Sequence, residues 1–245
     1  MQVLQHLKRY LDFLTTPFGI EVIRHFGDNL EMRQIVKLIE TNNISLVLDI
    51  GANMGHYAHN LITLGYNKRM VSFEPLSEAY ETLLKNSKDY KNWQVFERCA
   101  LGNEIGEASI NISKNSYSSS LLDVLNSHTT AAPQAEFISN ETTPVLTLDS
   151  IAKQLKLSDE RIFMKIDTQG FEDRVIEGAQ DSLKYIDLIQ LELSLIPLYE
   201  GGKTIDWMIP FLNGFGYEPL FFLPGFTDRK TYQIQQVDGI FARRK

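Results

Sequence analysis

At 245 residues and 43% hydrophobic content, the chain is long enough for one well-buried α/β domain with additions and short for two full domains. A net charge of −7 argues against the clustered basic surface on which phosphate-backbone binding depends, so no nucleic-acid partner is expected. A single cysteine, Cys99, excludes an intramolecular disulfide framework and fits a reducing compartment.

The first 43 residues read as a helical extension preceding a single domain over residues 44–245. Val3, Leu4, Leu7, Tyr10, Leu11 and Leu14 recur at helical spacing, with His6, Lys8, Arg9 and Asp12 between them. That pattern is an amphipathic helix and not the continuous apolar core of a secretory leader, so a cytoplasmic location is expected. No run reaches the roughly 18 apolar residues that cross a bilayer. Ile20, Val22, Ile23 and Phe26 indicate a short second helix, and Met32, Ile35, Val36, Leu38 and Ile39 a third.

From Leu46 the period changes. Val47 to Ile50 reads as a buried strand, Tyr57, Ala58, Leu61 and Ile62 as one face of a helix, and Met70 to Phe73 as a second strand. A third unit follows, with Ser77 placed to cap its helix and Trp93 to Cys99 as its strand. Strands and helices alternating at this length imply a parallel sheet with right-handed crossovers.

Residues 102–146 break the rhythm. Ala108 to Ile112 and Thr143 to Leu148 look like β segments around a Ser- and Asn-rich run containing Ser116 and Ser118 to Ser120, a candidate lid. A helix over Asp149 to Leu157 then leads into Ile162 to Asp167, a buried strand ending in an acid. A helix over Glu172 to Lys184 precedes the strand Leu188 to Leu193, and a helix over Ile205 to Asn213 precedes a closing pair, Tyr217 to Leu223 and Ile234 to Ala242. A hairpin closing a parallel sheet makes the last strand antiparallel.

The most informative stretch is Val47-Leu48-Asp49-Ile50-Gly51-Ala52-Asn53-Met54-Gly55, followed by Glu74 about one strand-helix unit later. Gly51 and Gly55 would let a sharp turn bring backbone N–H groups close to a ligand at a helix start. Glu74 can accept two ribose hydroxyls, as an acid does in dinucleotide folds. A nicotinamide site needs a further glycine where this chain has Asn53, which makes an oxidoreductase unlike it. Asp49 would repel a pyrophosphate and suit a ligand carrying an ammonium and a sulfonium, so S-adenosylmethionine (SAM) is the expected cofactor. Gly202-Lys203-Thr204 resembles a P-loop ending, but Pro197 stands where its first glycine belongs.

The set DIGANMG, FEP, CALGNEIGEASI, TLDSI, MKIDTQGFEDRVIEGA, LIQLELS and VDGIFARR resembles the FkbM family of SAM-dependent methyltransferases over roughly residues 46 to 243. The resemblance implies a class I methyltransferase sheet, a Rossmann-like arrangement of seven strands in the order 3-2-1-4-5-7-6 flanked by helices. It also implies O-methylation of a hydroxyl on a sugar, glycan or natural product. One departure stands out: the family usually carries an acid before the glycine of the KID segment, as in D-V-E-G, whereas this chain has Gln169 before Gly170.

Asp167, Glu192 and Asp238 fall at strand ends that such a sheet opens on one edge. Three neighbouring carboxylates need a shared proton, a hard divalent cation or cationic neighbours. Asp167 is the candidate base or hydroxyl ligand, with Glu192 and Asp238 fixing the acceptor or a metal. Asp49, Gly51, Asn53, Gly55 and Glu74 are the candidate cofactor residues, with Ala100 and Leu101 beside the adenine as this fold places it. His56 and His128 are competing bases, and Tyr199 and Phe226 candidate stacking partners for an acceptor. A noncatalytic SAM-binding scaffold is the alternative, and Gln169 is the residue that favours it.

Overall fold

The computed structural model describes residues 30–244; the helices expected over residues 1 to 26 lie outside that range. The first described element is helix α1 (Leu30–Thr41), whose Ile35, Val36 and Ile39 are buried as the apolar spacing requires. Strand β1 (Leu46–Ile50) pairs in parallel with β2 (Arg69–Phe73) on one side and β7 (Ile162–Ile166) on the other. Beyond β2 lies β3 (Trp93–Val95); beyond β7 lies β8 (Ile186–Ser194), and then the antiparallel pair β10 (Gln236–Arg243) and β9 (Tyr217–Pro224). The sheet order is β3-β2-β1-β7-β8-β10-β9. Counted by its own strands this is 3-2-1-4-5-7-6, with β10 antiparallel to both neighbours, as the resemblance implied.

Both faces are covered, which is why the strands are apolar at nearly every position. Leu46, Leu48 and Ile50 point into a core shared with Met164, Ile166, Leu191 and helix α5 (Leu148–Leu155). Val47, with Met70, Phe163 and Leu188, packs on the opposite side against α1 and α2 (His56–Thr63). The alternation also sets Asp49 and Lys165 on that second face, where the neighbouring positions are hydrophobic.

Several elements differ from their expected extents. The third strand stops at Val95, because the chain leaves the large sheet and Ala100–Leu101 (β4) pairs with β6 instead. Strands β5 (Gly106–Ser113) and β6 (Phe137–Leu146) are longer than expected and form an antiparallel pair, so much of residues 102–146 is a three-stranded sheet, β4-β6-β5. Between them lie the serine-rich loop and helix α4 (Asn126–Ala131). Ser77 does not cap α3 (Ser77–Ser87); its N–H and hydroxyl both donate to Glu141 at 2.6 Å, and Leu76 is the cap residue. Helix α6 (Glu172–Glu177) ends well before Lys184. A Cβ on Gly178 would stand 1.9 Å from the Gly102 carbonyl oxygen, and Asp149 accepts from the N–H groups of Asp181 and Ser182 in competition with helical bonding. Helix α7 (Ile205–Gly214) leads into β9.

Candidate active site at the strand ends

The turn after β1 holds three consecutive left-handed features, Gly51 at φ 73°, Asn53 at φ 48° and Gly55 at φ 86°. The glycines are demanded by the protein itself. A Cβ on Gly51 would lie 1.9 Å from the Asp167 carbonyl oxygen, and one on Gly55 would lie 2.6 Å from the Trp93 ring. Asn53 tolerates the left-handed region because its side chain bonds locally: its Oδ1 accepts the Met54 N–H at 2.9 Å. Its own N–H donates to Glu74 Oε2 at 2.6 Å, which ties the turn to the end of β2.

Glu74 is 3% exposed, and its Oε1 accepts the Leu76 N–H at 2.9 Å. Burial pushes its carboxyl up to about 7, against the lowering effect of those two backbone N–H groups and of Lys165. Each oxygen has accepted one bond from the protein and keeps capacity for another.

Glu74 lines a cavity of about 290 Å³, close to the lower end of the roughly 300–1,000 Å³ range of small-molecule sites. Its apolar lining comes from Leu76, Ala100, Leu101, Ile110, Leu121 and Phe171, among others, and its polar lining from Asn53, Ser116, Ser119, Asp167, Gln169 and Glu192 beside the Gly51 backbone. Gly55 is buried behind the turn and does not line the cavity.

A second cavity, about 230 Å³, adjoins the first and shares Gly51, Asn53, Tyr117 and Asp167 with it. Its other walls come from Glu31, Met32 and Ile35 of α1, His56 and Tyr57 of α2, and Lys165, Gln190, Leu223 and Asp238 of the sheet. Asp167 therefore stands on the wall between the two.

A polar row runs across the sheet beneath both cavities. The Trp93 indole N–H donates to Ser72 Oγ at 2.9 Å, and Ser72 Oγ donates to Asp49 Oδ2 at 3.4 Å. Asp49 Oδ1 lies 3.2 Å from Lys165 Nζ, which also reaches Asp167 Oδ2 at 3.4 Å and the Gly51 carbonyl at 3.2 Å. Asp49 is wholly buried and touches neither cavity, so in place of the direct contact with a cofactor ammonium expected from its position, it anchors Lys165. Burial acts to lower the Lys165 ammonium, but Asp49 and Asp167 outweigh it and hold the net shift upward. Sequence reasoning missed Lys165, because its place across from Asp49 is set by the register between β1 and β7.

The three acids converge. Glu192 and Asp238 are direct cross-strand partners on β8 and β10. Glu192 faces the first cavity and Asp238 the second. Burial, then the charges of Asp167 and Asp238, drives the Glu192 carboxyl well above its usual range. Burial pushes Asp238 up to about 6, moderated by the Gln190 amide, whose Nε2 donates to Asp238 Oδ1 at 3.2 Å. Tyr57 completes that chain by donating to Gln190 Oε1 at 2.7 Å. Among the described residues, no group of three or more His, Cys, Asp or Glu side chains is arranged to hold a metal ion, so the divalent cation considered from the sequence has no ligand set here.

The competing candidates are placed differently. His56 is exposed at the second cavity, with its ring 6.3 Å from that of Tyr117. His128 is buried between the rings of Tyr199 and Phe226, and burial lowers its imidazole to about 4, so it is neutral at physiological pH. Tyr199 and Phe226 pack on His128 and line neither cavity. Cys99 is a buried wall residue whose thiol burial pushes up to about 12, so it stays unreactive. Among the described residues, no helix is long and apolar enough to cross a membrane.

No curated protein matches the sequence. Among solved structures, the chain is similar to a Streptococcus pneumoniae protein named for tRNA methylation, at 11% identity and a TM-score of 0.50, over 90% of this chain and 72% of that one. It is also similar to a Pyrococcus horikoshii protein named for RNA methylation, at 14% identity and a TM-score of 0.46, over 90% and 88%. A third is the Burkholderia thailandensis 1,6-didemethyltoxoflavin-N1-methyltransferase, solved with S-adenosylhomocysteine, at 9% identity and a TM-score of 0.46, over 89% and 80%. Likenesses this remote concern the fold. The methyltransferase FkbM domain matches residues 49–219, which begin at Asp49 and run through Glu74, Asp167 and Glu192; the chain thus belongs to the FkbM methyltransferase family.

Proposed function

We propose that the protein is a SAM-dependent O-methyltransferase acting on a hydroxyl of a sugar, glycan or natural-product small molecule. The observation that carries this reading is the position of Asp167 on the wall shared by two cavities. One offers both the apolar and the polar side chains that an adenosine with an amino-acid tail requires, and the other is smaller and sets Lys165, Gln190 and Asp238 among apolar neighbours. When bound, the cofactor supplies an electrophilic methyl group on a sulfonium.

In this reading Gly51, Asn53 and Glu74 hold the cofactor, and Ala100 and Leu101 bound its adenine. Glu192 meets its amino-acid end. Asp238 and Gln190 accept and donate to acceptor hydroxyls, with Tyr57 behind them. Asp167 takes the proton from the acceptor hydroxyl, and Lys165 keeps the carboxylate aimed. Alignment alone supplies effective molarities on the order of 10⁵ to 10⁸ M in favourable cases, and a placed base adds roughly 10² to 10⁴. Residues 102–146 act as a lid insertion in a catalytic domain of residues 44–245, because Ser116, Tyr117, Ser119 and Leu121 close the first cavity.

Radiolabelled SAM offered with a panel of sugar and natural-product alcohols tests this. Transfer to an alcohol is expected, and Asp167→Asn should lower it by about 10² to 10⁴ with S-adenosylhomocysteine affinity unchanged. Wild-type turnover in that variant would remove Asp167 from the chemistry. Label appearing only on nitrogen or RNA acceptors would overturn the hydroxyl class, and tight cofactor binding with no transfer at all would favour a scaffold. Activity unchanged by EDTA and added Mg²⁺ is the expected result for the cation.

A further inference from the structure

Gln169 stands before Gly170 at the end of the KID segment, and its side chain is fully engaged. Its Nε2 donates to Asp167 Oδ1 at 2.8 Å and to Glu192 Oε2 at 2.5 Å, while its Oε1 accepts the Tyr199 hydroxyl at 2.7 Å. The carboxyl oxygens of Asp167 and Glu192, as acceptors, call for the nitrogen end of the amide, and the Tyr199 hydroxyl, which also reaches the Ser118 carbonyl at 3.2 Å, meets the oxygen end. The backbone is held as firmly: Gln169 adopts φ 56°, a region a non-glycine residue occupies only when its surroundings impose it, and its carbonyl accepts Ser120 Oγ at 2.7 Å.

We propose that Gln169 is a positioning residue for methyl transfer, using its two N–H groups to clamp the Asp167 carboxylate to Glu192. This rests on the reading of Asp167 as the proton acceptor. Two carboxyl groups this close would otherwise need a shared proton to stay together. A neutral amide removes that need, because it donates to Glu192 whether that carboxyl is protonated or ionised. Asp167 therefore keeps one orientation across the pH range in which its neighbours titrate. The charged and titratable groups facing the clamp are Lys165, Asp167 and Glu172 around the end of β7, Glu192 and Asp238 from β8 and β10, and Tyr199 from the loop after β8. Gln236 Nε2 also donates to Glu192 Oε2, at 2.8 Å, which holds the far end of the clamp in place.

A carboxylate would behave otherwise at this position. With three acids in contact, a bridge exists only while the group holds a proton, and one proton joins only one pair. The test compares wild type, Gln169→Glu, Tyr199→Phe and Asp167→Asn, with transfer from radiolabelled SAM to the alcohol the panel identifies. Wild-type kcat should stay level on the alkaline side. In Gln169→Glu it should fall with rising pH by about 10- to 100-fold, the scale of a 1 Å misplacement, while S-adenosylhomocysteine affinity changes little. Tyr199→Phe, which frees the amide to turn, should lower kcat at unchanged KM for SAM, and serves if Gln169→Glu does not fold.

A level alkaline limb at wild-type kcat in Gln169→Glu, alongside a slow Asp167→Asn, would overturn the clamp and leave the base in place. Loss by one constant factor at every pH, tracking a lower Tm, would reduce Gln169 to a structural part. Wild-type turnover in Asp167→Asn would overturn the base and the clamp together.

Discussion

Glu74 concentrates the cofactor argument in one side chain. Its carboxyl lies near pH 7 because burial outweighs two backbone N–H donors. The native group thus holds its proton over a range, roughly 4.5 to 7, in which the unfolded group has lost it. Its contribution to stability is present below that range and is lost as pH rises through 7. Ribose hydroxyls donate to the ionised form, so the sign for binding is opposite. S-adenosylhomocysteine affinity should rise with pH through about 7 and then level, as calorimetry from pH 6 to 8 would show. Glu74→Gln should weaken binding by about 10- to 100-fold, the worth of a bond to a charged acceptor, and flatten that dependence. A binding curve in wild type that ignores pH would disconnect Glu74 from the ribose. The same scale explains Asp49: a buried carboxylate needs a cation, and Lys165 is the one that the register sets beside it.

Among the elements, the strand-turn-helix of β1 and α2 depends on contacts with neighbouring elements more than on local preference. Gly51 has φ 73° and no room for a Cβ, whereas Gly216 has φ 83° and open space around it. Gly51→Ala should cost ~3 kcal/mol, combining an imposed left-handed alanine with displacement of the Asp167 carbonyl. Gly216→Ala should cost only ~1 kcal/mol. Urea midpoints of the two variants make the comparison, and equal losses would mean that the approach of β7 to the turn is not what Gly51 serves. Expected and observed elements agree best where the period is strong, as in β1, β2, β7 and α1. They diverge where a tertiary contact intervenes, as at Gly178, which meets the Gly102 carbonyl and ends α6 early.

At the scale of the molecule, the segment between β5 and β6 lines the first cavity and is tied to the far side of the site. Leu125 N–H donates to the Leu198 carbonyl at 2.9 Å, and Glu200 N–H to the Asp123 carbonyl at 2.8 Å, so this segment and the loop after β8 brace one another. Saturating S-adenosylhomocysteine should slow amide exchange at residues 116–121 selectively. The ceiling is about 100-fold when the ligand stands at 100 times Kd, because binding stabilises the closed form by mass action. Slowing that is uniform over the sheet, or absent, would deny the segment a role in holding the cofactor.

The sequence by itself determined the alternation of strands and helices, the antiparallel closing pair and the identity of the turn after β1, since these follow from local period and from residue types with few conformational options. Its motifs also carried the family, and they named the acids. What only the tertiary structure decided is how those acids stand to one another. The long-range register puts Lys165 against Asp49, sets Glu192 opposite Asp238, and turns the amide of Gln169 between Asp167 and Glu192. The closeness of Gly51 to the Asp167 carbonyl and the shared wall at Asp167 are of the same kind. Contacts made across the sheet and along its edge leave no trace in local spacing, because nothing in a strand's own pattern specifies which side chain its neighbour will present.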